Sequence, residues 1–514
     1  MRIIVLALMC SLALLFGLLI QMLIIKNMKY PYGGSDHAMH YKIIQAIKNS
    51  HHRFFITHCH PAYPKLYHFI CSFFGNEFLL KKANYISYIF AFLIFCLFFA
   101  FVYCNFILGI VQIDRVDIIL ITLLFATMPI TYVVWNAKFT GLSARAFGLF
   151  LNYCYSMSLF FYLLYGDFYL FGIVLLFVFL QLISSQFAFQ FVIFSSIFIS
   201  VVTAHYEMFL VAPLGAFFLF VLNYQYAKSF FYGQLQHKRN YSKFMIKDCQ
   251  FKQRYSIWRD FVYDFWVKKD RAYIFNNPVF EVLFGAFPHC FILVYYWFVA
   301  DVSDTALWIL YVLLSSSFFA FFVTSLRVGR FLGEPQRYIE FGIPFACILC
   351  VALLPSWLVL LFVVFNFIML KWYMKNSQIH RERPEHVRTR ECLIGYLQNI
   401  FDKEYAYLVS NDSQTLKYFW VTHYKTCMPD YAKYYKNKEE FLLYYDKGNY
   451  NRLSPHFVAE KIKQHKRGIL ILYTNTPMFY DKEVIMPLLN NIALVHLKDV
   501  GRFKIFRFSE MEVH

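Results

Sequence analysis

Long apolar runs alternate with short polar breaks along most of this chain, and their length sets the first expectation. Runs near 20 residues match the roughly 30 Å hydrocarbon core of a bilayer. They predict about eleven membrane helices, over 3–25, 84–110, 117–134, 145–165, 168–184, 187–204, 207–224, 282–300, 305–325, 341–355 and 356–374. The first run follows Arg2 and extends too far, without a small-residue cleavage site, to read as a removable signal; it is expected to be a retained helix. Past residue 375 the pattern changes. "RTRECLIGYLQNIF" and "SPHFVAEKIKQH" have helical spacing, whereas "EYAYLVSN", "GILILYTN" and "IALVHLKDVGRFKIFRF" read as strands, the last as a hairpin turning at Asp499 to Gly501. The expected fold class is therefore an α-helical polytopic membrane module over 1–375 followed by a small soluble α/β domain over 376–514.

Composition agrees with this reading. Of 514 residues, 59% are hydrophobic and only 16% charged, too little polar surface to cover the chain in water. The net charge of +18 arises from Lys and Arg between apolar runs and in the tail, a placement that suits anionic headgroups or an anionic lipid-linked substrate and gives no reason to expect nucleic acid. Cys347 and Cys350 form a CxxC, but inside "FACILCVALL" and without a second pair, so they read as small hydrophobes. Eleven spans from a cytoplasmic N-terminus put the first loop and the tail outside. They also put 225–281 outside, with its eleven Lys or Arg, against the positive-inside rule. That rule weakens in long loops, and "YSIWRDFVYDFW" in this one suits an interfacial helix.

The first polar loop, 26–83, carries the densest chemistry. Gly33 and Gly34 break the first helix, Ser35 is placed to cap a new one, and Asp36 falls in its first turn, where the helix dipole favours a carboxylate. Asp36 and His40 stand four apart and share a face that Ile43 and Ile47 continue. Such a carboxylate can deprotonate an acceptor hydroxyl or help hold a divalent metal, with His37 or His40 orienting it; equally, it is what a helix start favours, beside interfacial histidines. His51, His52, His58, His60 and His68 enlarge the cluster, without the spacing of a zinc site.

Asp36 in the first external loop, the order "SDHAMHYKIIQAI … HHRF … YPKLYHFI", a short second external loop and a soluble tail together resemble the GT-C fold membrane glycosyltransferases. Within them the chain is most similar to the bacterial branch related to protein mannosyltransferases and aminoarabinose transferases. The resemblance implies a multi-pass enzyme of the bacterial inner membrane whose tail is periplasmic. It would move a sugar from a polyprenyl-phosphate donor to a glycan, lipid or protein acceptor, with Asp36 as catalytic base or partner of a divalent metal ion, the one cofactor it allows. Glu77 in "GNEF" would correspond to a second acid. Arg145 in "WNAKFTGLSARAFGLFL" and Arg330 and Arg337 in "RFLGEPQRYIEFGIPF" are costly at a membrane boundary unless paired or facing a polar cavity. An arginine fork suits phosphate, and Lys138 adds charge. The resemblance implies that Arg337, with Tyr338, reads the donor's phosphate. The same arginines also suit headgroup-facing positions, with Glu334 or Glu340 neutralising Arg337.

The chain departs from the resemblance in two places. His37 stands where protein mannosyltransferases carry a second acid, and there is no "WWD". Protein O-mannosylation and N-glycosylation are therefore disfavoured as the specific activity. A lipid-linked saccharide transporter or flippase, or a surface-glycan polymerase, is the alternative. Against it stand the absence of an internal repeat, charges gathered in boundary loops, and a chain that ends in its soluble domain.

Overall fold

A computed structural model of the chain describes parts of 11–23, residues 35–376 apart from 58, 59, 61, 134–141, most of 246–276, 300–303 and 327, and most of 389–511. The first loop folds as α1 (Ser35–Asn49), α2 (Leu66–Cys71) and α3 (Asn76–Lys81). The apolar bundle follows as α4 (Asn84–Ile107), α5 (Arg115–Thr127), α6 (Arg145–Tyr165), α7 (Phe168–Leu182), α8 (Gln186–Thr203) and α9 (Met208–Leu222). After it come α10 (Tyr224–Asn240), α11 (Pro278–Gly285), α12 (Phe287–Val299), α13 (Thr305–Ser325), α14 (Ile343–Leu353) and α15 (Ser356–Asn376).

A helix occupies each of the ten expected segments from 84–110 onward, but they differ in length. Six stretches are long and apolar enough to cross a membrane: Tyr85–Ile107, Arg115–Tyr132, Arg145–Tyr165, Gln186–Thr203, Thr305–Ser325 and Pro335–Leu353. α11 and α12 meet at a 74° bend and would make a seventh, while Phe168–Leu182, Met208–Leu222 and Ser356–Trp372 are shorter. The expected first segment lies largely outside the described residues.

One boundary moves in a way that matters. The polar stretch before the expected span 341–355 is no loop: Pro335–Gly342 is a 3-10 helix that runs straight into α14. Three residues per turn place Glu334, Arg337 and Glu340 in one row, and all three are buried. The alternation of charge disguised a helical start as a loop.

Tight reversals gather helix ends on one face. The chain reverses at left-handed Gly166 after α6 and again over residues 183–185 before α8, so the starts of α6 and α8 come to lie together. Gly148, one turn into α6, permits that approach, because the space its side chain would fill is taken by Ser185, the cap of α8. Asn152 and Gln181, hydrogen-bonded at 3.0 Å, fix α6 to α7.

The C-terminal sheet comprises β1 (Tyr407–Ser410), β2 (Lys425–Thr426), β3 (Arg467–Tyr473), β4 (Ile492–Val500) and β5 (Phe503–Glu510), in the order β2-β1-β3-β5-β4. β1 runs parallel to β2 and β3, while β5 is antiparallel to β3 and β4. The expected hairpin forms with its two-residue turn at Gly501 and Arg502, just past the expected position, and Gly501 supplies the positive φ of 60° that the first turn position demands.

This domain is clamped to α10. Arg239 donates to the carbonyls of Tyr435 (2.8 Å) and Lys436 (3.4 Å), Asn240 to that of Lys433 (2.7 Å), and Phe244 joins the domain's apolar core against Phe441. At its other face α10 meets the first loop: the Gln234 amide donates to the Ala62 carbonyl, and Gly233 leaves no room for a side chain against the Ala62 backbone. The first loop, the start of the basic segment and the C-terminal domain therefore share one side of the bundle. Of the interfacial stretch expected within 255–266, nearly all lies outside the described residues; Trp258 donates its indole N–H to Ser325.

Candidate functional site

α1 forms because its apolar positions recur at helical spacing, and it buries them as one stripe. Ile43 and Ile47 pack with Ile56, while Tyr41 and Ile44 pack with Tyr67, Leu142 and Phe147. The stripe continues through His37 and His40, both buried. Lys48, in the last turn, donates to the Phe74 carbonyl and to Asn76, whose side chain also takes the Gln45 amide, so the polar edge of α1 is tied to α3.

The histidines do different work. His37 Nδ1 accepts the Leu142 amide at 2.9 Å, which anchors the second loop beneath the first; burial, then the neighbouring His40, pushes its pKa down to about 4. The next amide, Ser143, donates to the Tyr67 hydroxyl. His40 Nδ1 lies 2.7 Å from His68 Nε2, and His68 Nδ1 lies 2.9 Å from the Pro64 carbonyl. Burial, then the charges of His40 and Lys65, holds the His68 imidazole well below the usual histidine range.

These clamps deliver Arg145 to a cleft of about 210 Å³. At roughly 30 Å³ per water that is room for about seven waters, enough for a phosphate and part of a sugar ring but not a lipid chain. Its walls carry His40, His68, His237, Arg145, Arg337 and Glu334, together with the starts of α6 (Ala144, Arg145) and α8 (Ser184 to Phe187). Arg337 pairs with Glu334 and lies 4.6 Å over the Phe187 ring. Gly333, with φ 112°, lets the chain turn against that ring. Among its described lining residues two arginines stand against one carboxylate, and two helix N-termini add positive potential, a balance that suits an anion.

A second layer supports it from α10. His237 lines the cleft, and burial beside Lys238 pushes its pKa down to about 4. Lys238, itself pushed down to about 8 by burial, donates to the Gln190 carbonyl oxygen at 2.5 Å; this orients the Gln190 amide to donate to the Tyr338 hydroxyl (2.9 Å) and the Leu332 carbonyl (3.2 Å).

The predicted residues thus divide. His40, Arg145 and Arg337, from three distant segments, line one cleft. The backbone of Asp36 lies in the first turn of α1, one turn before His40, and its side chain lies outside the described residues. Tyr338 is fully buried beside Phe194, hydrogen-bonded to Gln190 and behind the cleft wall. Glu77 is exposed in the first turn of α3 and does not line the cleft. The backbone of Arg330 opens a short 3-10 turn, its side chain lying outside the described residues, as does all of Lys138. His205 and Glu207, bonded at 2.7 Å, mark the turn between α8 and α9, the far end of α8 from the cleft. Sequence reasoning missed His237; its only signal was a histidine joined to Lys238 and Arg239 at the end of a helix.

Among the described residues no three His, Cys, Asp or Glu side chains come together as metal ligands, and Glu334, the carboxylate among the described lining residues, is engaged by Arg337. No known protein family matches this chain, and no curated protein matches it either.

Proposed function

We propose that this chain is a membrane glycosyltransferase that moves a sugar from a polyprenyl-phosphate donor to a glycan, lipid or protein acceptor, at the outer face of a bacterial inner membrane. One observation carries the reading: Arg145, Arg337 and two helix N-termini converge on a single phosphate-sized cleft, with His40 on its wall. Arg337, stacked on Phe187 and held by Glu334, would present its guanidinium to the phosphate as negative charge grows on the leaving oxygen. The turn of α1 that carries Asp36 and His40 would meet the acceptor hydroxyl and take its proton. The C-terminal domain, joined to the cleft through α10, would help bind the acceptor.

Reconstituted protein given a panel of polyprenyl-phosphate hexoses tests this. Release of polyprenyl phosphate with sugar appearing on an acceptor is expected, and Arg337→Ala should abolish it. Passage of intact sugar lipid across the vesicle bilayer, with no bond broken, would establish the transporter alternative instead.

A further inference from the structure

Two buried arginines in this protein have carboxylate counter-ions, Arg337 in Glu334 and Arg452 in Asp446. Lys238 is treated differently. It is partly buried, and its ammonium reaches inward to the buried Gln190, where it meets a neutral amide oxygen at 2.5 Å. Among the described residues no carboxylate pairs with it. Desolvation without a counter-ion disfavours an ammonium and lowers its pKa, here to about 8. Its position points to the cleft. Gln190 also takes the Gln186 amide at 3.2 Å, and the Lys238 ammonium lies 5.7 Å from the centre of the Phe331 ring. Gln186 and Phe331 both line the cleft, so this charge stands one side chain behind its wall, where little water intervenes to screen its field.

We propose that Lys238, acting through the wall without touching the ligand, tunes the cleft to the second negative charge that a phosphate acquires when its sugar leaves. The assignment rests on the glycosyltransferase reading above. A sugar carried on polyprenyl phosphate is a phosphodiester with one negative charge. In transfer the acceptor oxygen bonds to the anomeric carbon and gives up its proton to the turn of α1, while the bond from that carbon to the phosphate oxygen breaks and leaves its electron pair on the phosphate. The product is a monoester with two charges. Arg145 and Arg337 against Glu334 leave an excess of one positive charge among the described lining residues, a match for the diester. Lys238 supplies a second, a match for the product and for the transition state that leads to it.

Titration calorimetry of the full-length protein in detergent reads this preference. The probes are dodecyl phosphate, a short lipid phosphate that is a dianion above its second pKa of about 6, and dodecyl methyl phosphate, its monoanionic diester. Wild type should bind the monoester several-fold more tightly at pH 7.5. Lys238→Met, similar in length and uncharged, should lose most of that preference with no fall in melting temperature, because it removes a desolvated charge. In wild type the preference should decline from pH 7.5 to 9.5 as the ammonium loses its proton, and Lys238→Arg, charged throughout, should keep it. His68 and His237 are held neutral by burial across this range, and Glu334 is engaged by Arg337. His40, Tyr63 and Tyr241 also line the cleft, and Arg239 and Tyr338 flank the lysine and its amide partner; any slope they add is shared with Lys238→Met and cancels in the comparison. A wild-type preference that is flat with pH, or one that survives Lys238→Met, overturns the proposal and leaves the glycosyltransferase reading standing. Failure of wild type to bind either lipid at any pH removes the phosphate reading of the cleft, and the proposal with it.

Discussion

Two polar clusters are buried in this protein, and they differ in where their hydrogen bonds go. In the C-terminal domain, at the carboxyl ends of parallel β1 and β3, Asn411 accepts from the Tyr473 amide (2.8 Å) and donates to the Tyr473 and Tyr480 carbonyls, while Asp412 accepts from the amide and hydroxyl of Thr415. Ser454 caps the helix Pro455–His465, and Arg452 pairs with Asp446. Apart from the Arg452–Asp446 pair, these are short side chains closing mostly on nearby backbone. In the cleft, long side chains from α1, α6, α10 and the 3-10 segment converge around open volume, and their bonds are mostly to one another. Burial alone distinguishes neither; a cluster bonded mainly to nearby backbone holds a fold, and one arranged around space can hold a ligand.

The sharpest way to break this comparison is to remove Arg337. Arg337→Ala leaves Glu334 buried without its counter-ion, which should cost about 3 kcal/mol of stability and abolish binding of dodecyl phosphate. The double variant Glu334→Gln, Arg337→Gln removes both charges and should recover most of the thermal stability but none of the binding. If Arg337→Ala binds as well as wild type, the cleft is structural and the contrast collapses. Asn411→Leu tests the other side: losing three hydrogen bonds from a fully buried amide should cost about 2 kcal/mol, seen as faster proteolysis of the C-terminal domain, while dodecyl phosphate binding to intact protein is unchanged.

How much of this was legible in the sequence follows the range of each interaction. The apolar runs fixed helices in all ten expected places from residue 84 onward, and the strand readings found β1, β3, β4 and β5, because these signals are local. β2, only Lys425 and Thr426, carries no pattern of its own and exists because β1 offers it an edge. The face of α1 was readable from Ile43 and Ile47, and with it the burial of His40. Its partner was not: His68 lies 28 residues away, and only the fold of the loop sets that distance. The sequence reading put the weight on Asp36 and treated the histidines as its neighbours, whereas the geometry draws attention to the imidazole pair. Arg337 was singled out as a charge that needs a partner or a polar cavity, and Glu334, one of the two partners the sequence offered, pairs with it; Tyr338 points elsewhere because successive residues of a 3-10 helix diverge by a third of a turn.

Acid should separate the two clusters by a smaller margin. His37 is held neutral, with a pKa near 4 against 6.5 when unfolded, so between these values the unfolded chain binds a proton that the folded one refuses. Stability therefore falls as pH drops through this window, by about 2 kcal/mol at pH 5 for this residue, and His68 acts in the same direction. His37→Asn, which keeps an acceptor near the position of Nδ1 for the Leu142 amide, should flatten the dependence. Thermal unfolding of the two proteins from pH 7 to 5 checks this, and parallel curves would mean that the clamp does not titrate. The proteolysis rate of the C-terminal domain should be unchanged by His37→Asn at either pH.

The smallest effect is also the most discriminating, because it sets two glycines of positive φ against each other. Gly333 at the cleft and Gly501 in the hairpin both have positive φ, and alanine at either should cost about 1 kcal/mol. They differ in what a side chain would strike. At Gly333 a Cβ meets the Phe187 ring at 2.6 Å, the same ring that carries the Arg337 guanidinium; at Gly501 it meets Thr389. Gly333→Ala must displace the ring, and the guanidinium with it, so dodecyl phosphate affinity should fall several-fold with little change in melting temperature. Gly501→Ala should lose the same stability and no affinity. Equal binding by the two variants would mean that the position of Arg337 over Phe187 has no bearing on the anion, and the cleft would then owe its charge selectivity to the helix ends, Arg145 and Lys238 alone.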